Sequence, residues 1–171
     1  MKFNRIAILA VLAILAVVLA GSASAFDLGF LGGSDSELQQ ITVGGIDFNI
    51  PAGFTENEDY KMENESGSDS SFYMSAAGFE DDTKQKAIYV MVADYGEYNV
   101  TDEVLAYVAD SMDAEKKTIN GHTGYMTTQA TNSTSMLDVT EDVYMFIYEE
   151  NGDLVFIGAT DESYFSDIII E

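Results

Sequence analysis

The chain has no cysteine and no tryptophan, one proline, one histidine, and only seven Lys and Arg against 30 Asp and Glu among its 171 residues. Each shortage closes off a class of function. Without cysteine there is no disulfide scaffold, no thiolate zinc site and no lipid anchor on a processed N-terminal cysteine. A lone histidine, His122, leaves imidazole zinc sites equally short of ligands. A formal charge of −23 repels phosphate backbones and anionic headgroups, whose recognition depends on basic residues, so no nucleic-acid partner is expected. With no tryptophan, a sugar-binding aromatic platform lacks its usual residue. The acidity is not that of a disordered chain, because ten Tyr and ten Phe accompany an apolar fraction of 47%.

The N-terminus has a clear order. Lys2 and Arg5 precede fifteen apolar residues, Ile6 to Ala20, and the small triplet Ala23-Ser24-Ala25 follows. This is the charged, apolar, A-x-A sequence of a secretory signal, with cleavage expected before Phe26. The competing reading is an uncleaved anchor, since the apolar stretch approaches the roughly 20 residues that span a bilayer. Either way the remainder lies outside the cytoplasmic membrane, secreted or at the cell surface, and contact with the membrane is expected only if the segment is retained. Residues 1–25 are therefore read as a signal peptide, 26–37 as a glycine- and serine-rich spacer, and 38–171 as one domain. Cleavage leaves 146 residues, with five basic against 30 acidic side chains and a formal charge of −25. Chains of this length bury about 68–70% of their unfolded surface, enough for a core without disulfide or metal.

Within the domain, Gln39–Val43 and Ile46–Ile50 flank Gly44-Gly45 as a β-hairpin, ending at Pro51. Thr55 to Ser71 is acidic and without period, with Asn64 to Ser70 read as a loop. Phe72 to Ala77 alternates weakly as a strand, and Glu80 to Lys86 is a charged turn. Ala87 to Tyr95 is apolar on both alternating sets, which predicts a strand covered on both faces. From Asp102 to about Lys116 the spacing of Val104, Leu105, Val108 and Met112 predicts a helix capped by Thr101. Lys116 and Lys117 would then sit at its C-terminus, where the helix dipole favours positive charge. Asn120-Gly121 reads as a turn before a strand at Gly124 to Ala130, and Asn132 to Thr140 as a polar connection. Val143–Tyr148 and Leu154–Ala159 form a second hairpin about Asn151-Gly152. A last helix after Asp161 places Tyr164, Phe165, Ile168 and Ile169 on one face. The expected fold class is α+β: a single domain in which two helices pack on an antiparallel sheet.

Three stretches together carry a resemblance: Phe48-Asn49-Ile50-Pro51-Ala52-Gly53-Phe54; the helix followed by Lys117-Thr118-Ile119-Asn120-Gly121-His122-Thr123-Gly124-Tyr125; and Tyr144 to Ile157 with its Asn151-Gly152 turn. In this order they resemble small exported proteins of methanogenic archaea with no assigned activity, and more distantly the α/β sandwich of PsbP-like extrinsic photosystem proteins. The resemblance implies a fold, and no functional residue is carried over from it.

The residues supply few sites. His122 lies in a glycine-bounded turn, where exposure is expected, and no nucleophile-elbow pattern accompanies it. The acidic groups Glu56-Asn57-Glu58-Asp59, Glu80-Asp81-Asp82 and Glu149-Glu150 with Asp153 lack the spaced loop of a calcium site and read as solvated surface. No catalytic, cofactor or metal residue is assigned, and no cofactor is expected. Asn64, Asn99 and Asn132 each open an N-x-S/T sequon and are candidate glycosylation sites in an exported chain, with Asn99 disfavoured because Thr101 is needed as a helix cap. The function expected is non-enzymatic binding of an unknown protein or surface ligand, or cell-surface association. The alternative is a carboxylate-dependent hydrolase acting on an extracellular polymer, which requires two carboxyls about 5–9.5 Å apart, one with a raised pKa.

Overall fold

The computed structural model describes residues 38–66, 72–83, 85–129 and 142–171. The leader, the spacer, the connection at 132–140 and Asn132 lie outside these residues.

Strands β1 (Gln39–Val43) and β2 (Ile46–Ile50) form a two-stranded sheet of their own. The remaining strands are β3 (Phe54–Ser66), β4 (Tyr73–Asp81), β5 (Ala87–Asp94), β6 (Glu115–Ile119), β7 (His122–Gln129), β8 (Val143–Glu150) and β9 (Asp153–Ala159). They build a seven-stranded sheet in the order β3-β4-β5-β9-β8-β7-β6, with every neighbouring pair antiparallel. Two meanders, β3-β4-β5 and β6-β7-β8-β9, thus meet at the centre, where β5 pairs with β9 from Ile88↔Ala159 to Ala93↔Leu154. The expectation of one antiparallel, sheet-rich unit with two short helices is met.

The central strands are apolar on both alternating sets because each face is covered. On one face, Tyr89, Met91 and Ala93 of β5 and Leu154 and Phe156 of β9 pack with Leu105, Val108 and Ala109 of helix α1 (Asp102–Ser111). On the other, Ile88, Val90 and Val92 with Val155 and Ile157 pack beneath Phe48 and Ile50 of the hairpin and Phe165 and Ile168 of the short helix α2 (Phe165–Ile168). Ile88, Val90, Ile157, Phe48, Ile50, Phe165 and Ile168 are all fully buried. Each such side chain contributes about 1.5–3 kcal/mol relative to exposure, so both layers are integral to the fold. The two helices consequently lie on opposite faces, α2 sharing its face with the hairpin.

The hairpin turns follow their residues. Gly44-Gly45, Asn120-Gly121 and Asn151-Gly152 take positive φ at both central positions, as a type I′ turn requires. Gly44 is constrained twice, because a Cβ there would lie 2.7 Å from the Cβ of Val92 as the hairpin rests on β5.

Helix α1 begins as expected, with Thr101 Oγ1 accepting the Val104 N–H at 3.4 Å. Its end is earlier than the expected Lys116. The helix stops at Ser111, Asp113 turns left-handed at φ 51°, and the Ala114 N–H returns to the Ala109 carbonyl at 2.9 Å. An aspartate here does the work usually signalled by glycine, so the stop was hidden. Lys116 and Lys117 belong instead to β6, opposite Tyr125 and Gly124. Two more expectations are corrected. The acidic segment from Thr55, read as irregular, is β3 as far as Ser66, so Asn64 lies in a strand and not a loop. The strand placed at Gly124 begins at His122. After Asp161 a 3-10 turn (Glu162–Tyr164) leads into the single turn of α2, which stops at Ile168 where the β-branched pair Ile169-Ile170 follows.

Candidate functional site

The edge strand β3 is irregular. Asn57 pairs with Gly78 and Met62 with Ala76, so five steps along β3 are matched by two along β4, and a second shift follows between Met62 and Glu65. Extra residues of this kind are β-bulges, which bend a strand away from its partner. Ala77 has no register partner on β3. Tyr60, within the arch, lies over Gly78, where a Cβ would meet the Tyr60 Cβ at 2.6 Å. A residue lacking a side chain at 78 is what lets the arch settle on the sheet.

A cavity of about 380 Å3 opens beside the arch, beneath β1 of the hairpin. That volume falls within the roughly 300–1,000 Å3 of small-ligand pockets. Its apolar wall is Val43, Met62, Ala77 and Phe79. Two hydroxyls on the lining face are engaged: Thr42 Oγ1 donates to Asp47 Oδ1 at 2.6 Å, and Ser75 Oγ accepts the Asn64 N–H at 3.1 Å. The charged lining is Lys61 with Glu56 and Glu63, whose carboxylates lie 3.4 and 3.7 Å from the ammonium. Glu56, with help from Glu58 and Glu63, holds the Lys61 pKa above its ordinary value against a smaller opposing effect of burial. Among the described residues the three charged groups of the lining sum to one negative charge.

A second acidic grouping lies at the β8–β9 turn, away from this cavity. The Asp153 carboxyl is raised above the ordinary carboxylate range by burial, then by Asp94 and Glu149. Glu149 Oε1 accepts the Gly152 N–H at 2.7 Å and so helps to form the turn. The carboxylate of Asp81 serves its own loop, accepting from Thr83 at 2.7 Å, Gln85 at 3.0 Å and Lys86 at 3.1 Å. These bonds, the Thr83 hydroxyl foremost, hold its pKa low. Among the described residues no three His, Cys, Asp or Glu side chains are placed to hold a metal ion.

His122 does not occupy an exposed turn. It is half-buried at the start of β7, its ring 5.0 Å edge-on to Tyr148, with Nε2 3.2 Å from the Ile170 carbonyl. A carbonyl only accepts, so Nε2 carries the proton. Asn120 acts beside it, donating from Nδ2 to the carbonyls of Ser166 at 2.8 Å and Ile169 at 2.7 Å. Both residues fasten the C-terminal segment; the turn is confined to Asn120-Gly121, and His122 already pairs with Ile119 as the first residue of β7. Of the sequons, Asn64 is exposed on β3 at φ 50°. Asn99 is exposed too, but its amide rests on Gly152, and Thr101 serves as the cap.

Of the cavity residues only Glu56 was singled out from the sequence as part of a candidate site, and it was read as solvated surface. Lys61 amid glutamates was the available signal. No protein-family model matches the chain, and no curated protein or solved structure matches it. Among the described residues no helix is long and apolar enough to cross a membrane.

Proposed function

We propose that the protein is an exported acidic domain that acts by binding, with residues 1–25 removed as a signal peptide and 26–37 serving as a spacer. The observation that carries the reading is the cavity between β1 and the β3 arch: it has an apolar wall, and among the described residues its titratable lining is one lysine paired with two glutamates. Such a wall offers burial to a ligand. The proposed kinship with small exported proteins of methanogenic archaea and, more distantly, the PsbP-like sandwich rests on the three sequence stretches between Phe48 and Ile157 that carry the resemblance. Mass spectrometry of the exported protein should find Phe26 as its first residue. Saturation-transfer NMR with benzyl alcohol as probe should detect binding that Ala77→Leu, which fills the cavity, abolishes. No transfer, or equal transfer in the variant, would reject the cavity as a binding site.

The hydrolase reading draws on Asp153, a carboxyl raised by burial beside Asp94 and Glu149. That is the environment a general acid needs. Release of reducing ends from a soluble polysaccharide, lost in Asp153→Asn without a fall in melting temperature, would favour it over binding.

A further inference from the structure

We infer that the cavity between β1 and the β3 arch selects a small organic cation with an apolar body. The inference rests on the binding reading above and names its ligand class.

The apolar lining open to a ligand is Ile41 and Met62, both half-buried, above the almost fully buried Val43, Ala77 and Phe79. Charge is the stronger source of orientation, because the Thr42 hydroxyl spends its one donor on Asp47 and the Ser75 hydroxyl already accepts from Asn64. Among the described residues Lys61 is the one basic residue of the lining, and Glu56 and Glu63 outnumber it. An anionic head would have to displace both carboxylates from the ammonium and lie beside them. A cationic head meets two acceptors that already hold a cation, and it replaces one positive group with another. The exchange is feasible because the Lys61 side chain is 36% exposed, so its released ammonium can move into water on a flexible four-carbon stem. The surrounding surface acts in the same direction, since a chain of formal charge −23 concentrates cations and excludes anions. Lys61 thereby becomes a resident competitor, and removing it should tighten binding of the cation.

The size of the effect follows from exposure. Glu63 is 80% exposed and Glu56 33%. Pairs this open to solvent correspond to about a two- to fivefold change in affinity each. Two such carboxylates together should separate cation from anion by about tenfold.

The test uses the exported protein and three probes of matched shape: benzyltrimethylammonium, benzyl alcohol and benzoate. Each is titrated by NMR chemical-shift perturbation at fixed ionic strength. The expected order of affinity is cation, neutral, anion, with about tenfold between the extremes. Lys61→Gln should tighten the cation about two- to fivefold, and Glu56→Gln should weaken it by a similar factor. Glu103→Gln, on helix α1 and outside the lining, should change neither. Binding of all three probes with equal affinity would overturn the cation inference and leave the binding reading standing. Failure of all three to bind would overturn both. A cation preference that Glu103→Gln reduces as much as Glu56→Gln would assign it to the general surface and overturn the inference. Glu56→Gln and Lys61→Gln alter opposite signs of one cluster, so two folded variants with the same effect on affinity would also overturn it.

Discussion

The centre and the edge of the sheet treat register in opposite ways. Between β5 and β9 the pairing runs unbroken from Ile88↔Ala159 to Ala93↔Leu154, whereas β3 slips twice against β4 over its length. The difference is burial. At the centre a one-residue slip would exchange Val90, which faces the hairpin, with Met91, which faces α1, and both are essentially inaccessible to water. On β3 most side chains after Phe54 are exposed or half-buried, so no core penalises extra residues. Strict register therefore follows from two-sided packing, and the strand freed from it is the one that leaves a cavity. Bulged, heavily charged edges also discourage pairing with another chain.

The comparison can be broken most forcefully by truncating one residue of each kind. Ile157→Ala at the centre should cost about 2–5 kcal/mol, while Glu65→Ala on β3 should stay within about 0.5 kcal/mol. Urea denaturation midpoints of the two variants check this, and similar costs would mean that β3 is packed as tightly as the centre. Next in size is Gly78→Ala, which brings a Cβ to 2.6 Å from the Cβ of Tyr60. Because the obstructing atom is next to the backbone, the arch must lift, at about 1–3 kcal/mol. Hydrogen exchange should accelerate at residues 57–62 and remain unchanged at 88–93.

A smaller effect comes from Asp153. Its raised folded pKa means that the native state holds this proton at pH values where the unfolded chain, near 3.8, has lost it. Stability then falls as pH rises through the interval above 3.8, and none of this loss is present below it. Asp161 has the opposite sign: backbone and hydroxyl bonds from Ser163 depress its pKa, so its contribution is present above 3.8 and is lost on acidification. In a urea series across pH, Asp153→Asn should flatten the decline above 3.8 and leave the acid limb in place. A parallel decline in the variant would remove Asp153 as its origin. The least effect expected is that of salt. Sodium chloride shortens the Debye length from about 30 Å at 0.01 M to about 10 Å at 0.1 M, relieving repulsion along β3, where Glu56, Glu58, Asp59, Glu63 and Glu65 follow closely. A thermal melt should show a modest rise that levels off, and micromolar calcium at fixed ionic strength should add no saturable step. A fall with salt would contradict repulsion as the dominant surface effect.

Much of the regular part of the fold was legible. Asn151-Gly152 and Gly44-Gly45 announced their hairpins because few other residue pairs take positive φ twice at low cost. Thr101 announced a helix start, and the double apolar pattern of Ala87 to Tyr95 announced the central strand. The end of α1 was not legible, since Asp113 takes the left-handed position at which glycine or asparagine usually signals a helix stop. Strand β6 had a usable signal: Asn-Gly at 120–121 implies a strand on each side, which excludes a helix reaching Lys116. The candidate site was illegible for a different reason. Glu56, Lys61 and Glu63 are local in sequence, but Val43 and Phe79 reach the same cavity from other strands, and only pairing with a slipped register brings them together.

Local chemistry by itself determined where this chain turns, which strand is buried on both faces, how α1 begins, and that the surface is strongly acidic. These are properties of neighbouring residues, set by φ preferences, period and charge. Only the tertiary structure decided the strand order that sets β5 beside β9, the placement of helices on opposite faces, the anchoring role of His122 and Asn120, and the cavity under β1. Each of these depends on segments far apart in the chain competing to bury the same apolar surface, a contest whose outcome no local pattern records.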